Sequence, residues 1–373
     1  MRKTISCVGL LVWAAGCGDA VTTPDSIRSG DRAQASLAAA ATQVVMSGLS
    51  RPLGLAIGPE GALYVTEAGS PVSNGPCAIV ARGHNCFSGT GAISRLWQGR
   101  QERIASGLPS VYNPDIVDIL GPERISFQGR GGMYVTIGWG GEPAARGQLG
   151  ALGESLGALL KVTPNGGWQR VADIAAFEQA NNPDGVPIPD SNPFGVLAEP
   201  GHEFVTDAGG NDLLEVVANG AVSLVATFPA IPITVSPFKV TFGRSQAVPT
   251  EVRRGPDGVL YVSELTGAPF LPGAAAIYRV VPRQAPQLYA GGFTQITDFD
   301  WAPDGSLYVL QIGSAPFFGG IPALIHVAPN GSRSTVPTSL TSPSALAVAP
   351  DGAIYIAHKV FAPGQGEVVR IVP

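Results

Sequence analysis

From about residue 43 the chain alternates short apolar runs with turn residues, and no run keeps a helical period for long. One unit recurs. An apolar stretch such as Leu53-Gly54-Leu55-Ala56-Ile57 enters a Pro-Glu-Gly or Pro-Asp-Gly turn, and a Leu-Tyr-Val stretch leaves it. Copies lie at residues 59–65, 131–135, 200–205, 256–262, 303–309 and 350–356, the second without its Pro and the third one residue shorter. Pro presets φ and Gly accepts positive φ, so each copy predicts a tight hairpin between two strands. A third apolar strand follows each, as in Ala158-Leu159-Leu160-Lys161-Val162 and Ala276-Ile277-Tyr278-Arg279-Val280, and then a fourth, as in Arg103-Ile104-Ala105.

The aromatic residues Tyr64, Tyr134, Phe204, Tyr261, Tyr308 and Tyr355 set the repeat, with spacings of 70, 70, 57, 47 and 47 residues. The shorter spacings match a four-stranded propeller blade, and the longer ones require insertions. The sixth copy reaches Pro373 after its third strand, whereas residues 43–49 read as a fourth strand. The pattern therefore predicts an all-β, six-bladed β-propeller of four-stranded antiparallel blades over residues 42–373. The N-terminal strand pairs in the last blade and leaves no open edge.

Composition agrees. Of 373 residues, 49 are Gly and 33 Pro, 45% are hydrophobic and 14% are charged, which suits many short strands and a large core rather than disorder. A net charge of -5 with scattered Lys and Arg excludes a nucleic-acid partner, which requires a basic face.

The first residues read as an address. Arg2 and Lys3 precede an apolar run from Ile5 to Ala15 that is too short to span a bilayer and ends in Ala14-Ala15-Gly16-Cys17. Residues 1–17 are expected to be a signal peptide with a lipobox-like end, Cys17 being the lipidated mature N-terminus; ordinary cleavage and free secretion are the alternative. Residues 18–41, rich in Ala, Ser, Thr and Asp, read as a flexible tether. The protein is thus expected outside a bacterial cytoplasm, lipid-anchored at the outer membrane or cell surface, or free in the periplasm or medium. Membrane contact is expected only through that lipid. Cys77 and Cys86 remain, and export favours a disulfide between them over a metal pair, for which His84 alone lies between.

Alternating strand direction puts the second-to-third and fourth-to-next connections on one face. That face carries every long segment: residues 68–91, 107–122, 138–157, 175–193, 229–249 and 313–322. Long loops on a rigid scaffold are where binding groups concentrate. Three residues beyond each aromatic, at the same face, lie Glu67, Ile137, Asp207, Glu264, Gln311 and His358. Glu123, Arg124, Glu251 and Asp298 enter the first strands there. Together they are candidates for a polar, partly acidic ligand pocket at the channel mouth; the competing expectation is that such residues satisfy backbone amides between blades. Glu67, Asp207 and Glu264 are the candidates for holding Ca²⁺ or another divalent cation. Lactonase propellers of the regucalcin type place Glu, Asn and Asp at strand entries, where Glu123 fits and Thr250 does not. Asn181-Asn182-Pro183-Asp184-Gly185 and Asp190-Ser191-Asn192 are oxygen-rich but lack EF-hand spacing, which favours turn chemistry. No Gly-x-Ser-x-Gly elbow is present.

Arg51-Pro52-Leu53-Gly54-Leu55-Ala56 with its turn resembles an NHL-type propeller. More narrowly, Gly89-Thr90-Gly91-Ala92-Ile93, Ala172-Asp173-Ile174-Ala175-Ala176-Phe177-Glu178, Asn181-Asn182-Pro183-Asp184-Gly185, Asp190-Ser191-Asn192-Pro193-Phe194-Gly195, Asp207-Ala208-Gly209-Gly210-Asn211 and Glu264-Leu265-Thr266-Gly267 resemble the ScyD/ScyE family of exported propellers. The resemblance runs over nearly all of residues 43–373 and implies a six-bladed propeller and export, without a reaction. Family members tend to carry His-Asp where this chain has Glu123-Arg124. Two functions follow. The first is a monomeric binding or scaffold module that takes a small molecule, glycan or protein on its long-loop face. The second is a metal-assisted hydrolase, lyase or lactonase at the axial mouth, using Glu67, Asp207, Glu264 and His358.

Overall fold

In the computed structural model, residues 42–129, 132–233 and 243–372 are described. The signal peptide, Cys17 and the tether at 18–41 lie outside these residues, as does the centre of the 229–249 connection. The repeat is realised strand by strand. Sheet 1 comprises Pro52–Ile57, Leu63–Glu67, Gly91–Trp97 and Arg100–Leu108. Sheet 2 comprises Pro122–Gln128, Gly132–Ile137, Ala158–Val162 and Trp168–Asp173. Sheet 3 comprises Pro193–Glu199, His202–Asp207, Asp212–Val217 and Val222–Thr227. Sheet 4 comprises Pro249–Arg254, Leu260–Glu264, Ala275–Val280 and Gln287–Phe293. Sheet 5 comprises Ile296–Trp301, Leu307–Gln311, Ala323–Val327 and Arg333–Val336. Sheet 6 comprises Ala345–Val348, Ile354–His358 and Gly366–Ile371, and its fourth strand is the N-terminal Thr42–Leu49. All neighbours pair antiparallel, and Val44 lies opposite Val369.

The repeating aromatic explains how the sheets stack. Tyr64 of sheet 1 packs at 4.7 Å from Phe127 of sheet 2, and Tyr261 of sheet 4 at 5.1 Å from Trp301 of sheet 5. Each such contact belongs to a separate apolar core between consecutive sheets. A further core joins sheet 6 to sheet 1 through Met46, Leu49, Leu55, Val65, Ala345 and Val368. Hydroxyls reinforce the seams. Thr66 Oγ1 donates to Glu123 O at 2.7 Å, Thr250 Oγ1 to Ile296 O at 3.1 Å, and Ser344 Oγ to Pro52 O at 2.6 Å. The first strand of each sheet touches those before and after it, and that of sheet 6 touches that of sheet 1.

Several of the long segments have structure that the alternation did not signal. Residues 68–91 and 107–122, expected as loops, pair into a four-stranded sheet of Cys77–Val80, Gly83–Phe87, Val111–Asn113 and Asp118–Leu120. Its hairpin register sets Cys77 opposite Cys86, and the two are disulfide-bonded. Residues 174–181, also expected as loop, form the helix α1 (Ile174–Asn181). Asp173 caps it by accepting Ala176 N at 2.9 Å, and Ile174, Ala175 and Glu178 turn inward. At eight residues the helix is too short to show a convincing period in sequence.

Candidate functional site

One side chain reaches across to the other first strands. Arg124 is 2% exposed. Its Nε donates to Glu251 Oε2 of sheet 4 at 2.9 Å. Its Nη1 donates to Leu53 O of sheet 1, and its Nη2 donates to Thr297 O at 2.7 Å and Ser344 O at 3.1 Å, at sheets 5 and 6. The guanidinium also lies 4.6 Å from the Phe194 ring of sheet 3. A residue of sheet 2 therefore bonds or stacks with sheets 1, 3, 4, 5 and 6. The planar five-donor fork of Arg suits this, since carbonyls at strand entries accept in several directions.

The network continues away from the long loops. Glu251 Oε1 accepts Val252 N at 3.0 Å and lies 3.6 Å from Arg253 Nη1. Asp298 accepts Phe299 N at 2.7 Å and Leu346 N at 2.9 Å, which ties sheet 5 to sheet 6, and it faces Arg253 at 3.5 Å. Burial and the nearby Glu251 push the Asp298 carboxyl up, against the pull of Arg253 and Arg124. Below it, a cavity of about 260 Å³ is lined by Leu55, Ile57, Phe127, Arg253, Asp300 and Val348. Arg124, Glu251 and Asp298 are thus brought together, as a buried interlock between sheets.

The strand-end residues do another job. Glu67 accepts Ser50 N and Ser94 Oγ, each at 2.6 Å, and pairs with Arg103 at 2.7 Å. Asp207 accepts Ser191 Oγ at 2.6 Å, Asn192 N at 2.5 Å and the amides of Gly209 and Gly210 at 3.0 Å. Gln311 Oε1 accepts Thr294 N at 2.8 Å, and His358 Nδ1 accepts Thr341 N at 3.5 Å. The four side chains do one thing in four sheets: each holds an amide of the segment entering its own first strand. Burial lowers the His358 pKa. Glu264, at the fifth such position, is buried with both carboxylate oxygens unpartnered among the described residues, and burial alone pushes it up to about 8. Glu123 is likewise buried, with neither carboxylate oxygen hydrogen-bonded among the described residues, and is pushed up to about 8 by burial, which outweighs the pull of Arg51 and Arg124. It sits beneath Gly138, where an added Cβ would lie 2.5 Å from its Oε1, so the long-loop backbone lies directly over it. Among the described residues, no group of three or more His, Cys, Asp or Glu is arranged to hold a metal ion, and Glu67, Asp207 and Glu264 do not converge.

What the long-loop face does expose is aromatic. Phe270 lies in the sheet 4 connection, Phe317 and Phe318 in that of sheet 5, and Phe361 in that of sheet 6. Phe270 is 5.4 Å from Phe317 and 5.0 Å from Phe318, and Phe318 is 5.9 Å from Phe361. Arg51 stands 5.4 Å from the Phe361 ring and pairs with Asp118 of the inserted sheet. Phe317, Phe318 and Phe361 are 54%, 38% and 49% exposed. A separate small core of Leu53, Ala68, Ile119, Ile312 and Val360 packs sheet 1 and the inserted sheet against the loops of sheets 5 and 6. Phe270, Phe317 and Phe318 all hold positive φ, of 57°, 55° and 60°. Bulky side chains rarely adopt that conformation, and such strain gathers at binding sites. Sequence periodicity could not find this cluster, because its members come from three loops. The sole cue was the Phe317-Phe318 pair inside the 313–322 segment.

No family model and no curated protein matches the chain. Solved structures do. An oxidoreductase of glucose dehydrogenase type from Thermus thermophilus aligns over 89% of this chain and 100% of its own, at 15% identity and a TM-score of 0.51. A protein of unknown function from Bacteroides thetaiotaomicron aligns over 89% and 76%, at 10% identity and a TM-score of 0.54. A gluconolactonase-like protein aligns over 89% and 91%, at 14% identity and a TM-score of 0.50. At such identities the likeness concerns fold alone, and it is to β-propeller proteins: this chain is an all-β protein of four-stranded antiparallel sheets with the propeller fold.

Proposed function

We propose that this chain is an exported six-bladed propeller of the ScyD/ScyE type, closed by its N-terminal strand, that binds ligand on its long-loop face. The pairing of Thr42–Leu49 with Gly366–Ile371, the core between sheets 6 and 1 and the Ser344–Pro52 bond support closure. The Cys77–Cys86 bond suits an oxidising compartment, reached through the signal peptide at 1–17, with Cys17 as lipid anchor and 18–41 as tether.

The observation that carries the binding reading is the cluster of exposed Phe317, Phe318 and Phe361 with half-buried Phe270, beside Arg51. Exposed aromatic faces on a rigid support favour ligands with flat apolar surfaces, namely sugar rings, aromatic metabolites or aromatic side chains of a protein. The metal-hydrolase reading is less favoured on a specific ground. The centre that a metal would share with the strand entries holds the Arg124 guanidinium, and the strand-end acids Glu67 and Asp207 hold amides. Glu67, Asp207, Gln311 and His358 therefore position the loops rather than touch ligand.

The test is binding of soluble oligosaccharides and small aromatic compounds, by array and then by calorimetry. Phe317→Ala combined with Phe361→Ala should weaken binding at least about tenfold, the loss of roughly 1.4 kcal/mol of stacking, with an unaltered melt. Capture that survives this double substitution removes the aromatic face from consideration. Turnover of a lactone or ester that is lost on chelation would favour the enzyme instead.

A further inference from the structure

The loops of sheet 3 bury more acid than they can satisfy. Glu178, on α1, is 1% exposed, and Asp212, which opens the third strand of sheet 3, is fully buried. Among the described residues, neither carboxylate has a hydrogen-bond partner on either oxygen. Asn182 caps the C-terminus of α1 in the left-handed conformation. Its Nδ2 donates to Val186 O at 2.8 Å, and its buried Oδ1 has no partner among them either. Asp207 and Asp184 complete the group, and both are engaged: Asp207 with four donors, Asp184 with Asn211 Nδ2 at 2.8 Å and Val186 N at 3.1 Å.

The carboxylates lie close together, and Asp212 pairs opposite Asp207 across sheet 3. A Cβ added to Gly210 would lie 3.0 Å from Glu178 Oε2 and 3.4 Å from the Asp207 Cγ, so a bare stretch of backbone runs between the two carboxyls. The charges felt by Glu178 are those of Asp207, Asp184 and Asp190; Asp212 feels Asp207, Glu178 and Asp184. No Lys, Arg or His among the described residues acts on either. Where the same fold buries Glu251, it supplies Arg124. Here the described residues supply no cation.

Buried carboxylates are stable when paired with a cation or coordinated to a metal, and an orphaned buried oxygen marks a missing partner. An all-oxygen donor set with no thiolate or imidazole selects a hard cation, and six to eight oxygens are what Ca²⁺ takes. We infer that the loops of sheet 3 form a calcium-type cation site in which Glu178, Asp212 and Asn182 Oδ1 are ligands and Asp207 and Asp184 supply further negative charge. As they stand, the carboxylates do not close on one point. Binding therefore draws Glu178 and Asp212 inward and fixes α1 against sheet 3.

The test uses the mature protein stripped with EDTA and dialysed, then titrated with CaCl₂ in a calorimeter, with MgCl₂ as comparator and thermal melts alongside. Saturable binding of one Ca²⁺, at least tenfold tighter than Mg²⁺, with a rise in melting temperature is expected. Glu178→Gln and Asp212→Asn should each weaken Ca²⁺ at least tenfold while leaving the stripped protein's melt unchanged or higher. Glu67→Gln, on sheet 1, should leave Ca²⁺ affinity as it is. No saturable binding by the wild-type protein, or binding that both sheet 3 variants retain, overturns the inference. Should either variant fail to fold, a crystal grown in CaCl₂ decides: ion density between Glu178 and Asp212 supports the site, and its absence there refutes it.

Discussion

Arg124→Met is the most informative single substitution in this protein. The methionine keeps most of the apolar stem and removes the charge and every donor. Glu251, fully buried, then loses the Nε at 2.9 Å, and the carbonyls of Leu53, Thr297 and Ser344 lose theirs. Breaking a buried ion pair from one side costs about 3–5 kcal/mol, because the remaining charge loses its close partner; Glu251 keeps only the more distant Arg253, at 3.6 Å. The three carbonyls add to this at roughly 1 kcal/mol each. The expected loss is about 6–8 kcal/mol, which for a body of this size lowers the melting temperature by about 12–16 °C at roughly 2 °C per kcal/mol. Chemical unfolding followed by tryptophan fluorescence and by circular dichroism, with coincident transitions, gives the free energy. Arg124→Met combined with Glu251→Gln removes the stranded charge and should recover at least about 2 kcal/mol. A single variant within about 1 kcal/mol of wild type, or a double variant no more stable than the single, would refute the idea that one guanidinium locks the sheets together.

Glu264 gives a pH signature. Its carboxyl is raised from an ordinary 4.5 to about 8, so the native state keeps a proton that the unfolded chain releases between those values. That stabilisation is complete below about pH 4.5 and is lost as pH rises through about 8. Glu264→Gln stays neutral throughout; relative to wild type it should gain roughly 2–4 kcal/mol between about pH 5 and pH 9, and a difference that stays flat over that range excludes the mechanism. For the N-terminal strand, Met46 and Leu49 are each 1% exposed in the core between sheets 6 and 1. Their replacement by Ala should cost about 2–5 kcal/mol apiece in urea unfolding, and removal of residues 42–49 should abolish soluble protein; a soluble deletion with an unaltered melt would show that the strand is dispensable.

The local pattern determined much. Turn residues and an alternating apolar run specify a hairpin without reference to the rest of the chain, so the repeat, its aromatics and the fourth strand from residues 43–49 were legible from spacing alone. The Cys77–Cys86 pair was legible for another reason: once export was read from the first residues, these two cysteines remained, close together in sequence. The α1 helix and the inserted sheet were not, since short elements carry weak periods and are stabilised by what they pack against. Superimposing the repeats put Glu67, Asp207, Glu264, Gln311 and His358 in equivalent places, yet their partners are set by three-dimensional approach. Four of them hold backbone amides, and Glu264 holds none among the described residues. Only the tertiary structure sends Arg124 across the centre to the other five sheets, gathers Phe270, Phe317, Phe318 and Phe361 from three loops, and encloses Glu178 with Asp212. Those groupings join residues distant in sequence. Burial, charge pairing and ring contact depend on separation in space, which the order of residues along a strand does not encode.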